Sequence, residues 1–253
     1  MPYSDDSLFR RIRKLTGKAI GDFNLIEEGD RIAVGVSGGK DSYTLLHVLE
    51  SLRRKAPIRY ELVAVNIDAG YPGYRKEVVA EHLRAHGFAH RMESTNSYQV
   101  IEEKRRPGSS YCSFCARLRR GVLYSLADEL GCNKIALGHH LDDFIETLLL
   151  NQFYVGTLAA MSPKLAADNG RHTVIRPLVY VEEQDIINFA RAQALPVICC
   201  ACPVCGVVDQ KRKRMKRLVR ELAAEIPHIR RSMIGALGNV HAGHLLDKAL
   251  QEF

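Results

Sequence analysis

The stretch from Arg31 to Ser42 reads RIAVGVSGGKDS, and its reading decides the fold. A short apolar run, Arg31 to Val36, has the length and composition of a buried strand and ends in Ser37-Gly38-Gly39, with a helix expected to start near Asp41. A glycine loop between the carboxyl end of a strand and the amino end of a helix is an anion site. Unpaired backbone N–H groups and the helix dipole both favour negative charge there. Two glycines let the backbone approach a phosphate closely. The loop is not a Walker A motif, which needs glycine where Val34 stands and Ser or Thr where Asp41 stands, so a simple kinase or GTPase is disfavoured. A plain glycine turn capped by Ser37 or Asp41 is the competing reading. The coincidence of strand, loop, lysine and helix favours the phosphate.

Outward from this loop the pattern repeats. Tyr60 to Ile67, Phe88 to Met92, Lys134 to Leu137 and Thr173 to Leu178 read as strands, and Tyr74 to Ala85, a segment from Asp142, and Glu182 to Ala194 read as helices. Alternating strands and helices imply an α/β protein with a doubly wound, mostly parallel sheet. The chain opens on a basic amphipathic segment (Leu8, Ile12, Leu15, Ala19), and from Pro196 it turns to cysteines, a basic run and helical patterning through Leu250. The expected organisation is a basic N-terminal helix over 1–25, the α/β domain of the phosphate loop over 26–198 with an inserted Cys-x-x-Cys, and a helical C-terminal appendage over 199–253 that starts with a cysteine cluster.

With 253 residues, 46% hydrophobic and 26% charged, the chain suits one large domain carrying an appendage. The most apolar window, Thr147 to Met161, is interrupted by Asn151 and Gln152 and is shorter than the roughly 18–20 apolar residues of a membrane span. Met1 to Leu15 lacks the apolar core of a secretory signal and places Asp5 and Asp6 before its arginines, so a cytoplasmic protein without a membrane partner is expected. Seven cysteines in that setting read as thiols or metal ligands rather than a disulfide framework. The net charge of +7 is clustered: seven of the ten residues Lys211 to Arg220 are Lys or Arg, joined by Lys104-Arg105-Arg106 and by Arg10, Arg11, Arg13 and Lys14. Met215, Leu218 and Leu222 recur at helical spacing, so one face packs and the other is cationic. A solvated helix face is the usual fate of such a run, but the clustering favours RNA phosphates.

SGGKDS resembles the PP-loop of the ATP pyrophosphatases, which cleave ATP between the α and β phosphates and adenylate their substrate. The resemblance implies that Ser37, Gly38, Gly39, Lys40, Asp41 and Ser42 hold the pyrophosphate, with Mg2+ on Asp41 or on a second acidic site. Gly138 to Asp143 reads GHHLDD at the end of another expected strand. By itself Asp142 is an N-cap there. Within the resemblance, GHHxDD matches the second nucleotide motif of PP-loop enzymes that modify tRNA bases, which adds Gly138 to the nucleotide site and makes Asp142 and Asp143 candidates for Mg2+ binding or catalysis.

Cys112-Ser113-Phe114-Cys115 precedes a basic helical stretch with Arg117, Arg119 and Arg120, and the later cluster holds Cys199, Cys200, Cys202 and Cys205. Zinc ribbons space such pairs by about 15–20 residues, whereas 86 separate Cys115 from Cys202. Structural zinc stays open, and an iron-sulfur cluster suits the same soft thiolates. Cys132 reads as a small buried residue. Tyr111 and Phe114 are candidates for stacking a base, with core packing the stronger role for Phe114.

With the glycine loop, the stretches YCSFCARLRRGVLY, KIALGHHLDD, LNQFYVG, SPKL, VIRPLVY and CPVCG, in order from Val34 to Gly206, closely resemble the tRNA 2-thiocytidine synthetases, which thiolate an anticodon-loop cytidine, and GNVHAGHLLD adds a weaker match. The resemblance implies ATP, Mg2+ and a 4Fe-4S cluster on Cys112, Cys115 and Cys205, with Cys202 competing as third ligand and Arg119 contacting an anionic intermediate. It also implies a tRNA partner, a cysteine desulfurase as sulfur donor, and a homodimer. The chain departs from the family before and after the late Cys-x-x-Cys-Gly, where a proline and an SQxNLQR-like tail are replaced by Cys199-Cys200-Ala201 and Val207-Val208-Asp209-Gln210. The nearest alternative is a tRNA 2-thiouridine synthetase, whose relatives begin with a cysteine-rich finger, whereas no cysteine precedes Cys112 here. Lysidine synthetases leave the cysteines unexplained. Adenylylsulfate reductases place their paired cysteines before the Cys-x-x-Cys, and a zinc-stabilised RNA-binding module is the non-enzymatic alternative.

Overall fold

The computed structural model describes residues 7–105, 111–167, 170–199, 201–202 and 210–247. By contact density the chain divides into two compact units: Met1–His140 with Ser162–Val208, and Leu141–Met161 with Asp209–Phe253.

The larger unit is built on a six-stranded sheet. Its strands are β1 (Arg31–Gly35), β2 (Glu61–Asp68), β3 (His90–Ser94), β4 (Lys134–Ala136), β5 (Lys164–Ala166) and β6 (Thr173–Ile175). They lie in the order β3-β2-β1-β4-β6-β5, and every pairing is parallel except β5 with β6. The order runs leftward from β1 through β2 and β3 and rightward from β1 through β4, so the switch point lies between β1 and β4. Ligands of doubly wound sheets bind in that crevice, at the strands' carboxyl ends.

Alternation along the strands separates two cores. Ile32, Val34, Ala64, Ala136 and Ile175 face the core shared by α1 (Ser7–Asp22), α2 (Lys40–Arg53), α3 (Lys76–Ala85) and α7 (Glu183–Ala192). Ala33, Val63, Val65 and Ile135 face Leu123, Leu126 and Ala127 of α5 (Tyr111–Glu129), with Cys132 buried among them. Helices on both faces are what a period-two strand with apolar residues at every position requires. α2 is buried from Ser42 through Ser51, enclosed by the sheet, α1 and α7, so the helix that follows the glycine loop is the most sequestered in the unit. α4 (Ser97–Lys104) follows β3.

The smaller unit is helical: α6 (Leu141–Leu150), a π-helical turn over Asn151–Val155, α8 (Gln210–Glu225), α9 (Ile229–Ala236) and a 3-10 turn at Ala242–His244. Leu141, Ile145 and Leu149 of α6 pack on Met215 and Val219 of α8 and on Met233 and Ile234 of α9. The sequence reading places α6 inside the 26–198 segment; the structure groups it with the C-terminal helices because this apolar stripe is matched there. The packing face of α8 is centred on Met215 and Val219, with Leu218 and Leu222 only half-buried.

Candidate active site

The loop after β1 is held from several sides. Gly38 takes φ +81°, and a Cβ on it would lie 2.5 Å from Cγ1 of Ile198 and 3.1 Å from Val79 Cγ2, so only glycine fits. The Ile198 backbone N–H donates to the Gly38 carbonyl at 3.0 Å. Inside the loop, the Ser42 hydroxyl donates to Gly39 O (2.9 Å) and accepts from the Ser37 N–H (3.2 Å), and the Gly39 N–H reaches Ser37 Oγ (3.4 Å). Gly39 is the N-cap of α2 with no side-chain cap, a helix start that suits a bound anion.

Lys40 Nζ stands 3.0 Å from Asp41 and 3.2 Å from Glu183. Burial opposes its charge, but the Asp41 and Glu183 carboxylates outweigh burial and hold its pKa above the usual lysine value. Gly138, two residues past β4, presses on this loop: a Cβ there would sit 3.1 Å from the Asp41 carbonyl and 3.2 Å from Ser42 N. His140 Nε2 lies 3.7 Å from Asp41 Oδ1. The structure therefore brings Ser37, Gly38, Gly39, Lys40, Asp41, Ser42 and Gly138 together at the switch point.

Asp142 and Asp143 lie in the first turn of α6, within the helical unit. There Asp142 pairs with Arg230 Nε at 2.9 Å, while Arg212 bridges Asp143 and the buried Glu146 at 3.2 Å each.

The cysteines meet elsewhere in the larger unit. Cys112 and Cys115 lie within α5 rather than ahead of the helix, next to the buried Tyr111. A cavity of about 210 Å³ is lined by Cys112, Cys115, Cys202 and Arg119, with Tyr71, Tyr111 and Tyr74 among its other walls. The Tyr71 hydroxyl donates to Cys115 Sγ at 3.5 Å. Burial, and that bond to Cys115 with its neighbour Tyr111, push the Tyr71 phenol far above its usual pKa, so it stays a donor. Ala201, at φ +53°, turns the chain just before Cys202. Phe114 packs against Ala69, Tyr71, Ile101 and Tyr111, in keeping with a core role. Cys205 and Cys200 lie outside the described residues.

Tyr74 joins the two sites. Its hydroxyl donates to Ser37 O at 3.3 Å and accepts from Asn66 Nδ2 at 2.7 Å, while its ring lines the cysteine cavity. Sequence reasoning missed Tyr74, Tyr71 and Glu183. It also gave no role to Arg176, whose Nε lies 3.3 Å from His139 Nδ1 and whose pKa burial lowers, although VIRPLVY contains it.

Residues 6–198 match the family model of the PP-loop domain. The tRNA-cytidine(32) 2-sulfurtransferase of Syntrophotalea carbinolica is 72% identical over 253 residues, covering 100% of this chain and 98% of that protein. The chain belongs to the tRNA-cytidine(32) 2-sulfurtransferase family. The Geobacter metallireducens member is 65% identical over 251 residues, covering 99% of this chain and 98% of its own. Among solved structures, the U34-tRNA thiolase NcsA of Methanococcus maripaludis, determined with its 4Fe-4S cluster, shares the fold at a TM-score of 0.74 and 20% identity, covering 92% of this chain and 78% of that one. The loop over 37–42 lies within the residues that match the PP-loop domain. Among the described residues, no helix is long and apolar enough to cross a membrane.

Proposed function

We propose that this chain converts a tRNA cytidine, at the anticodon-loop position for which its relatives are named, into 2-thiocytidine at the expense of ATP. Tyr74 carries the reading: it is bonded to the PP-loop and forms a wall of the cysteine cavity, so a base activated at the loop lies beside the thiols.

Cytosine C2 is a poor electrophile and its oxygen a poor leaving group; adenylation answers both. The C2 oxygen attacks the α phosphorus of ATP and pyrophosphate leaves into the loop, held by its backbone N–H groups, Ser37, Ser42 and Lys40. Sulfide then attacks C2, the bond to the adenylated oxygen breaks, and AMP departs, with no net redox change. Asp41, Asp142 and Asp143 are the proposed catalytic and Mg2+-binding carboxylates, and Arg119, half-buried in the cavity wall, meets the anionic intermediate.

A soft thiolate set in a cavity with apolar walls, with a phenol donating to one sulfur, fits an iron-sulfur cluster. Cys112, Cys115 and Cys205 would hold a 4Fe-4S cluster, with Cys202, which lines the cavity, the competing third ligand. Bound there, the cluster supplies an iron that carries sulfide. Lys211, Lys213, Arg214 and Arg217 on α8 are proposed to hold tRNA phosphates, beside the exposed Phe153 and Tyr154 of the π-helical turn. A cytoplasmic location, a cysteine desulfurase as sulfur source and a homodimer complete the proposal.

The test is nucleoside mass spectrometry on tRNA incubated anaerobically with iron-loaded protein, ATP, Mg2+ and sulfide, with ATP omitted as control. ATP-dependent 2-thiocytidine is expected. Thiouridine instead would move the target base, and no thiolated base in verified iron-loaded protein would overturn the substrate.

A further inference from the structure

About two turns along α2 from the PP-loop, three histidines converge. His47 lies in α2 and is fully buried; His82 is in the last turn of α3 and nearly so; His86 caps α3 and is exposed. His82 and His86 stand at i and i+4, the spacing that puts two imidazoles on one helix face and serves helical metal sites. One potential ligand atom from each of the three lies within 4.8 Å of the others. His47 Nε2 and His82 Nε2 point at each other across 2.9 Å.

The orientation of His86 is telling. Its Nδ1 lies 2.9 Å from the His82 carbonyl, which accepts the Nδ1 proton and sets the tautomer with the lone pair on Nε2. A ligating imidazole whose other nitrogen donates to a backbone carbonyl is the usual support of a bound metal ion. Tyr43 packs edge-on to His82 (ring centroids 4.7 Å apart) and Phe88 to His47 (5.2 Å), so the buried rings are held in place by apolar neighbours. Packing explains why the rings are buried and a hydrogen bond pairs His47 with His82, while His86 brings a third imidazole beside that pair. The exposed side at His86 is an entry path.

We propose that His47, His82 and His86 bind a borderline divalent transition-metal ion of the Zn2+, Co2+ or Ni2+ class, pinning the PP-loop helix α2 to the end of α3. Imidazole donors select this class over Mg2+ or Ca2+. With Zn–N bonds of about 2.0–2.1 Å, the two Nε2 atoms, head-on across their hydrogen bond, must separate by about 0.4 Å and the rings must tilt to share the ion tetrahedrally. The fourth position falls on the solvent side. The site uses none of the residues assigned to the proposed thiolation.

The experiment is Co2+ titration of the full-length, anaerobically iron-loaded protein, whose cluster-binding thiols are then occupied, read by equilibrium dialysis and by X-ray absorption at the cobalt edge. One equivalent with a nitrogen and oxygen shell is expected, together with a rise in Tm on Co2+ addition. His86→Ala, an exposed change that leaves the core packed, is expected to weaken binding by more than the roughly 10–100-fold typical of losing an outer-shell partner and to abolish the Tm shift. His82→Gln gives a second loss of binding. Equal Co2+ uptake by His86→Ala, sulfur in the cobalt shell, or no stoichiometric binding would overturn the proposal.

Discussion

The hydroxyl of Tyr74 donates to the carbonyl of Ser37 while its ring closes one wall of the cysteine cavity, so a single side chain borders both the nucleotide loop and the thiols. Tyr74→Phe keeps the wall and removes the bond to the loop, along with the acceptor of Asn66 Nδ2. A net hydrogen bond is worth about 1 kcal/mol, so tRNA-stimulated ATP-to-AMP turnover is expected to fall about fivefold with iron content unchanged. Parallel AMP release and iron assays check this.

Gly138 is pressed against the Asp41 backbone, and Gly38 against Ile198. Gly138→Ala is expected to push the PP-loop away from the β4 edge and to lower kcat/KM for ATP by at least about tenfold, with secondary structure by circular dichroism retained. Gly38→Ala adds a left-handed backbone penalty to its clash and should also lower Tm, by an amount matching roughly 1–3 kcal/mol. Steady-state kinetics and thermal melts separate the two effects.

Lys40 is shared between Asp41 and Glu183 before any phosphate arrives. Glu183→Gln removes one competitor for the ammonium group and is expected to lower KM for ATP severalfold, whereas Lys40→Ala raises it. Opposite displacements in the same ATP titration are the readout.

The elements legible in the sequence were those with a local signal. The β-branched runs of β1, β2 and β6 and the glycine loop stand out because burial on both faces demands continuous apolar residues. β5, three residues at the sheet edge with Leu165 half-exposed, carries no periodicity and exists only through its antiparallel pairing with β6. The start of α5 was hidden because a Cys-x-x-Cys reads as a ligand loop until the burial of Tyr111 is known. α6 has the stripe of any amphipathic helix, and nothing in that stripe says which unit it packs on. Tyr71 and Tyr74 have no motif, since their roles arise from β2 ending beside α5. The late cysteines left the third ligand ambiguous by spacing, because four of them fall within seven residues.

Burial, reinforced by repulsion from neighbouring histidines, lowers the pKa of His47 to about 3 and that of His82 to about 4. The unfolded chain takes up these protons near pH 6.5, before the folded one does. Stability is therefore full above that pH and is lost as pH falls from about 6.5 toward 4, by up to about 1.4 kcal/mol per pH unit for His47 alone. Urea unfolding in chelator between pH 7.5 and 5 is expected to show this slope, and His47→Gln to flatten it.

For the cluster, Cys112→Ala and Cys115→Ala are each expected to abolish iron retention after anaerobic purification, and Cys199→Ala to leave it intact. Cys205→Ala abolishes retention if it supplies the third thiolate; retention by Cys205→Ala with loss in Cys202→Ala transfers that role to Cys202. Iron counts on the five proteins decide it.

The N–H of Ile198 is bonded to the carbonyl of Gly38, and Cys202 follows four residues later. Four residues of extended chain reach about 14 Å at most, so the late thiol is on a short leash whose fixed end is the nucleotide loop itself. Any group that Cys202 helps to hold is thereby tethered to within that reach of the loop.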